Sequence, residues 1–283
     1  MAGQNPTGRG RFEGKVALVT GSSRGYGRAL SRTLAAGGAS LVLNSRLSAV
    51  DGRNLATEIN RAGGTAIYVS ADIGQEDDIR GLAAVVEQQF GRIDIIVHNA
   101  AGGFERPIDD TSWSEFEQAM RVNTYALIAL ARHFRPLFGE NGKFLYVSSI
   151  GAELGLGGYG AIGATKAASE AVIRSLALEW APRVQANSIR PNIISTVSLR
   201  SFSWSDTLLK IIDQESPLGV QDIQQLVNVA AWLCGPESDY VTGQVIAADG
   251  GFSTTMCRDG LTAQPRPPVG ARAGVEASGP GRR

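Results

Sequence analysis

The chain is 283 residues long, 43% apolar and 19% charged, which fits a folded core and excludes a disordered or fibrous protein. Its 27 basic residues balance 27 acidic ones, so no net field exists to draw in nucleic acid or an anionic membrane, and neither is expected as a partner. Two cysteines, Cys234 and Cys257, and two histidines, His98 and His133, are too few for a disulfide framework or a His-rich metal centre. No metal is expected.

In chain order, residues 1–11 are rich in Gly, Arg and Pro and lack the apolar core of a signal peptide, so a flexible N-terminal segment is expected. The run Val16-Ala17-Leu18-Val19 predicts the first strand. After it comes Thr20-Gly21-Ser22-Ser23-Arg24-Gly25-Tyr26-Gly27, opening a helical pattern over 25–37. Glycines between a first strand and a first helix let the backbone turn tightly and approach a pyrophosphate, which then rests on the helix N-terminus. Gly21, Ser23, Arg24, Gly25, Tyr26 and Gly27 are therefore candidate cofactor-binding residues.

The second strand, 40–43, runs into Asn44-Ser45-Arg46. An acidic residue at that point grips a ribose 2′-hydroxyl, whereas its absence with an arginine nearby favours a 2′-phosphate. Asn44 and Arg46, with Arg24 in the glycine loop, thus favour NADPH over NADH. Helices are predicted at 48–62, 76–90, 113–137, 159–180 and 221–234, and strands at 66–69, 93–97, 143–147, 183–189 and 244–248. Strands this uniformly apolar suit a sheet covered on both faces, so the expected fold is a Rossmann-like, doubly wound α/β domain with seven parallel strands. It would span residues 12–257, with a disordered tail at 258–283. Thr196 to Val220 carries Phe202 and Trp204 among serines, and two readings stay open: a substrate lid or a short packed helix. No apolar run reaches the roughly 18 residues that cross a bilayer, and a cytoplasmic location is expected.

These motifs resemble the short-chain dehydrogenase/reductase family over roughly residues 14–252. TGSSRGYG is similar to the family's TGxxxGxG, and Ala71-Asp72-Ile73 to its adenine-contacting segment. His98-Asn99-Ala100-Ala101-Gly102 looks like its NNAG, with His98 a departure. Asn123, Ser148-Ser149, Pro191 to Thr196 and Ala248 to Gly251 match its asparagine, its serine strand end, its PGxxxT turn and its closing DGG, with Asn192 in place of a Gly. The resemblance implies cofactor contacts from Asp72, Ile73, Asn99, Ala100, Ala101, Lys166, Ile194 and Thr196. It also implies a catalytic group of Tyr159, Lys166, Ser149 and Asn123.

One departure carries the expected chemistry. Most of the family places a tyrosine four residues before its lysine, but here Ile162 stands four before Lys166, and isoleucine cannot transfer a proton. Tyr159 lies seven residues before Lys166, and seven steps of about 100° return both side chains to one helix face. This Tyr-x6-Lys spacing resembles the enoyl-thioester reductase branch, including enoyl-acyl carrier protein reductases and the related cyclohexenylcarbonyl-CoA reductases, which share the doubled Ala100-Ala101. In a conjugated thioester hydride goes to the β-carbon while charge develops on an oxygen roughly 3 Å away, so the acid must stand further from the nicotinamide. Moving the tyrosine three residues shifts it by about 4–5 Å along the axis. Ser149, ten residues before Tyr159, fits the same alignment.

The expected activity is NADPH-dependent saturation of the α,β double bond of an enoyl thioester. Tyr159 would stabilise the enolate, and Lys166 would hold the nicotinamide ribose and lower the phenol's pKa. The substrate is a small-molecule thioester, presented by coenzyme A or by an acyl carrier protein. Two alternatives remain: a carbonyl reductase in which Tyr159 reaches a ketone, and a non-redox cyclase, isomerase or cofactor-binding scaffold in which Ile162 records lost proton chemistry. Heavy use of Gly, Ala and Arg with only four lysines points to a GC-rich bacterial source, and the family resemblance implies a place in fatty-acid or specialised, polyketide-like biosynthesis. A homotetramer or homodimer is what the family resemblance implies.

Overall fold

The computed structural model describes residues 10–192, 200 and 202–254. Seven strands form one all-parallel sheet: β1 (Val16–Thr20), β2 (Ser40–Ser45), β3 (Thr65–Ser70), β4 (Ile93–His98), β5 (Phe138–Val147), β6 (Val184–Pro191) and β7 (Val245–Ala248). Their order is β3-β2-β1-β4-β5-β6-β7, so the winding reverses between β1 and β4. Crevices at such reversals, beyond the carboxyl ends of the strands, are where this architecture binds ligands.

Among the described residues the α-helices are α1 (Gly25–Ala36), α2 (Ala49–Arg61), α3 (Glu76–Phe90), α4 (Trp113–Met120), α5 (Ala126–Phe134), α6 (Gly160–Trp180), α7 (Ser205–Glu215) and α8 (Ile223–Leu233), and helices cover both faces of the sheet. Alternate residues of β1 enter opposite layers. Val16 and Leu18 pack with Leu82 of α3, Leu130 of α5 and Ile173 of α6, while Ala17 and Val19 pack with Leu30 of α1, Leu55 of α2 and Leu226 of α8. Burial on both sides is why the strand sequences are continuous apolar runs rather than alternating ones.

The expected helix over 113–137 is present as one continuous helical path whose winding changes along it. A π-helical turn at Arg121–Tyr125 separates α4 from α5, and a 3₁₀ turn follows at Arg135–Leu137. Wider turns of this kind mark places where a side chain is pulled away from helical register. Here Asn123 is that residue: its amide bonds Gly102 on one side and Thr165 on the other. β5 begins five residues before the expected 143, its early part running through Asn141 at a φ of 58°. Within the stretch 196–220, the described part contains helix α7 over 205–215, with Ser205 and Ile212 buried, and both readings of the stretch stay open. No described helix is long and apolar enough to cross a membrane.

Candidate active site

The nucleotide cradle is built where β1 meets α1. Gly21 has a φ of +64°, a region open to glycine, and a Cβ there would lie 2.9 Å from Ala100 Cα. A Cβ on Gly27 would sit 2.5 Å from Gly21 O, so the loop and helix touch through backbone alone. Asn99 Nδ2 donates to Thr20 O and Gly21 O at 3.0 and 3.1 Å, tying the loop to the end of β4. Arg24 is the N-cap of α1, no side chain caps the helix, and no acidic residue lies in its first turn. The leading N–H groups and the positive dipole end are thereby left for an anion such as a pyrophosphate. Ser23 is buried in the same loop.

Other candidates occupy more structural positions. The Tyr26 ring packs in the apolar layer with Leu30 and Leu34, so its backbone rather than its phenol belongs to the cradle. Asn44 Nδ2 donates to Val69 O and Ala71 O at 3.2 and 3.1 Å, using both amide hydrogens to join β2 to β3. Arg46 is exposed and pairs with Asp72 at 3.1 Å, placing one positive charge at the open end of β2. Asp72 Oδ1 also accepts from Gly74 N at 2.9 Å, and Ile73 is buried in the core. Ala100 N donates to Thr20 Oγ1 at 3.0 Å, while Ala101 is exposed beside it. Ile194 and Thr196 lie outside the described residues.

His98 is fully buried, between Thr20 Oγ1 at its Nδ1 and Val122 O at its Nε2, both 3.0 Å away. A carbonyl only accepts, so Nε2 carries the hydrogen. Thr20 Oγ1 already accepts from the N–H groups of Asn99 and Ala100, which leaves its own hydrogen for Nδ1. Every partner is satisfied by the neutral imidazole. Burial accordingly pushes the His98 pKa down to about 3, and the ring acts as a rigid brace, not as a base.

Beyond the cradle, the end of β5 and the start of α6 carry three residues of the expected catalytic group, Ser149, Tyr159 and Lys166. Tyr159 is the residue immediately before α6: its N–H bonds Leu156 O at 3.1 Å, closing a turn through Gly158 at a φ of +69°. Its carbonyl accepts from Gly163 N at 2.8 Å, so it is the helix N-cap and not the first helical residue that the sequence suggests. The ring lies against Gly151, where a Cβ would come within 2.5 Å of it, and the Ser149 hydroxyl stands close enough to the phenol to act on its titration. Ser149 Oγ also accepts from Gly151 N at 3.2 Å, which fixes the serine at the strand end. Burial raises the Tyr159 phenol above its ordinary value and Ser149 draws it partly back, leaving a neutral hydrogen-bond donor.

The expected depression of this phenol by Lys166 is not what the arrangement produces. Lys166 is buried on α6, donates to Val147 O at 3.0 Å and lies 5.0 Å from the ring centroid of Tyr146. Burial brings its own pKa down to about 8, against a partial lift from Glu170 one turn on. Asn123 uses its whole amide group: Oδ1 accepts from Gly102 N at 2.9 Å, and Nδ2 donates to Gly102 O and Thr165 Oγ1, both at 2.8 Å. It positions the loop and α6 and does not face a substrate. Ile162 is buried beneath Gly103, whose backbone rests against it so closely that no Cβ would fit.

Two features were not singled out from sequence as site groups, and a third, the Phe202 and Trp204 pair, was noted only as part of a lid or a packed helix. Tyr146 stacks on His98 with centroids 5.7 Å apart, beneath Lys166. Glu170, buried four residues after Lys166, accepts from Ser148 Oγ at 2.6 Å and from Arg190 at 2.7 and 3.1 Å. The i, i+4 spacing from Lys166 was the available signal for it. Arg190 also reaches Glu153, joining β6 to α6 and to the loop that carries Ser149. Finally, Phe202 and Trp204 pack on Tyr159 with centroids 5.8 and 6.3 Å away, held by Glu105, which accepts from the Ser203 N–H at 2.6 Å and from its hydroxyl.

This cradle, with a serine, tyrosine and lysine at the winding reversal of a parallel sheet, defines an oxidoreductase of the short-chain dehydrogenase/reductase class. The chain belongs to that family: its residues 21–253 match the family described as enoyl-(acyl carrier protein) reductase. Among curated relatives, the 1-cyclohexenylcarbonyl-CoA reductase of Streptomyces collinus is 30% identical, covering 84% of this chain and 87% of its own. A blue fluorescent protein from a metagenomic library, solved with NADPH, superposes with a TM-score of 0.80 at 28% identity over 86% of this chain and 99% of the other. A 7α-hydroxysteroid dehydrogenase solved with NADH and 7-oxo glycochenodeoxycholic acid gives a TM-score of 0.80 at 28% identity over 85% and 95%.

Proposed function

We propose that this protein is an NADPH-dependent reductase that saturates the α,β double bond of an enoyl thioester. The observation that carries the reading is the placement of the phenol. Tyr159 presents its hydroxyl to Ser149 at the head of α6, while the side chain one turn on, Ile162, is aliphatic and sealed under Gly103. A phenol set back by one turn suits an oxygen displaced from the carbon that receives hydride. The similarity to a cyclohexenylcarbonyl-CoA reductase supports the same class.

The cradle between β1 and α1 fits a nicotinamide dinucleotide, because only glycine satisfies its backbone contacts and its helix end is uncapped. Arg46, with no acidic side chain at the end of β2, favours a 2′-phosphate and so NADPH. Bound there, the reduced nicotinamide supplies the hydride. Tyr159 Oη donates a hydrogen bond to the thioester oxygen as negative charge gathers on it, and Ser149 aligns the phenol. Lys166 would hold the nicotinamide ribose hydroxyls, and its ammonium would favour that negative charge electrostatically. Phe202 and Trp204 keep bulk water from the phenol. An acyl group carried on coenzyme A or on an acyl carrier protein would enter over this aromatic side. The exposed groove between α5 and α6, about 490 Å³ and lined by Ile128, Ala171, Val172 and Leu176, is the face we assign to self-association.

A ketone is the competing substrate, favoured by the nearness of Ser149 to the Tyr159 phenol and by the similarity to a hydroxysteroid dehydrogenase. The test is NADPH oxidation with crotonyl-CoA, a cyclic enoyl-CoA and an oxo-steroid, with product identified by mass. Saturated thioester supports the proposal. Reduction of the ketone alone selects the carbonyl reductase, and NADPH binding without turnover of either selects a non-redox protein.

A further inference from the structure

The residues around Lys166 leave one feature unexplained by hydride or proton transfer: an aromatic platform beneath a buried cation. Lys166 Nζ has Val147 O as its hydrogen-bond acceptor at 3.0 Å, and its ammonium sits 5.0 Å from the centroid of the Tyr146 ring. A cation within about 6 Å of an aromatic face is attracted by the ring quadrupole, most strongly when both are desolvated. Tyr146 is wholly buried, and its ring is stacked at 25° on His98. His98 is in turn held at both nitrogens by Thr20 and Val122, and Thr20 carries the Asn99 and Ala100 N–H groups of the cofactor loop. The contacts therefore run without a break from the nucleotide cradle through an imidazole and a phenol ring to the ammonium.

We infer that Tyr146 is a positioning residue for Lys166, its ring holding the ammonium in a dry seat that His98 keeps fixed. The inference rests on reading Lys166 as the site's cation, and it is independent of whether the substrate is an enoyl thioester or a ketone. A water-filled seat would let the butylammonium chain swing. An aromatic floor confines it, in a place where burial alone would drive off its proton. The groups that face Lys166 are Tyr146 from β5, His98 behind it from β4, and Glu170 on the next turn of α6. Tyr159 is near enough to Tyr146 to act on it electrostatically, and Arg190 of β6 holds Glu170.

The chain has only four lysines, Lys15, Lys143, Lys166 and Lys210, so lysine-labelled full-length protein gives a spectrum simple enough to assign, with Lys166→Arg identifying the signal. In the wild type the Lys166 side-chain resonances are expected upfield of the other three, shifted by the Tyr146 ring current, and to titrate near the value of about 8 that its surroundings set. In Tyr146→Leu the upfield shift disappears and the titration midpoint falls by about one pH unit, because the ring had favoured the charged form. Tyr146→Phe, which keeps the ring and loses only the hydroxyl, restores both. NADPH affinity follows the same order, with Tyr146→Leu weak and Tyr146→Phe close to wild type. An unshifted Lys166 signal in the wild type overturns the inference, as does an unchanged titration in a folded Tyr146→Leu. If the leucine variant does not fold, the wild-type ring-current shift and the phenylalanine variant decide the matter. A site that reduces no enoyl thioester would leave all these spectra unaffected.

Discussion

Burial makes Tyr159 a weaker acid and Lys166 a weaker base, and the two effects have separate consequences in pH. The Lys166 ammonium loses its proton near pH 8 in the free protein, so kcat/KM for NADPH is expected to fall as pH rises through about 8. Stability moves the other way. The burden of burying that charge is full below about 8 and is relieved between there and the ordinary 10.5, so denaturation midpoints rise across this window, and not in Lys166→Met. His98 acts at the acid end. Held neutral with a pKa near 3, it takes up its proton more readily when unfolded, so stability drops as pH falls below 6.5, by up to about 1.4 kcal/mol per pH unit. Urea titrations at pH 7, 6 and 5 check this; a flat profile would contradict the neutral tautomer.

At the scale of elements, the first turn of α1 and the end of β2 form the cofactor's seat. Gly27→Ala places a methyl group against Gly21 O and is expected to weaken NADPH binding by about 10-fold or more by calorimetry. Arg46→Ala removes the charge proposed to meet the 2′-phosphate, which should raise KM for NADPH about 10–100-fold and leave NADH nearly unaffected. Equal loss for both cofactors would contradict the assignment of Arg46. These elements were legible in the sequence because they are local: an apolar run, glycines at a turn and the start of a helix. The Tyr159 and Lys166 pair was legible for the same reason, as a spacing. What was not legible depends on chain segments far apart meeting. Asn44 reads as a ligand contact until Val69 O and Ala71 O claim its amide, and the wider turn inside the long helix coincides with the contacts of Asn123 to Gly102 and Thr165. Tyr146 looks like one more strand aromatic until α6 lays Lys166 over it.

Over the whole molecule, the reversal between β1 and β4 sets the cradle beside the serine, tyrosine and lysine, and the two apolar layers hold that relation rigid. The outer faces of α5 and α6 stay partly apolar, with Ile128 39% and Leu178 82% exposed. Such a face suits a two-fold contact between copies. Ala171→Arg, at an exposed position on that face, should lower the mass found by light scattering to a smaller assembly and leave the fold's circular dichroism unchanged. An unaltered mass would remove this face as the contact.

The central claim is that the phenol set one turn back, at Tyr159, does the proton work that Ile162 cannot. The measurement that tests it most directly is turnover of crotonyl-CoA by Tyr159→Phe beside wild type, with NADPH affinity measured in both. Loss of this one hydroxyl should lower kcat by about 100-fold or more while NADPH still binds. A kcat that is unchanged in Tyr159→Phe would mean that another group serves as the acid, and would contradict the account.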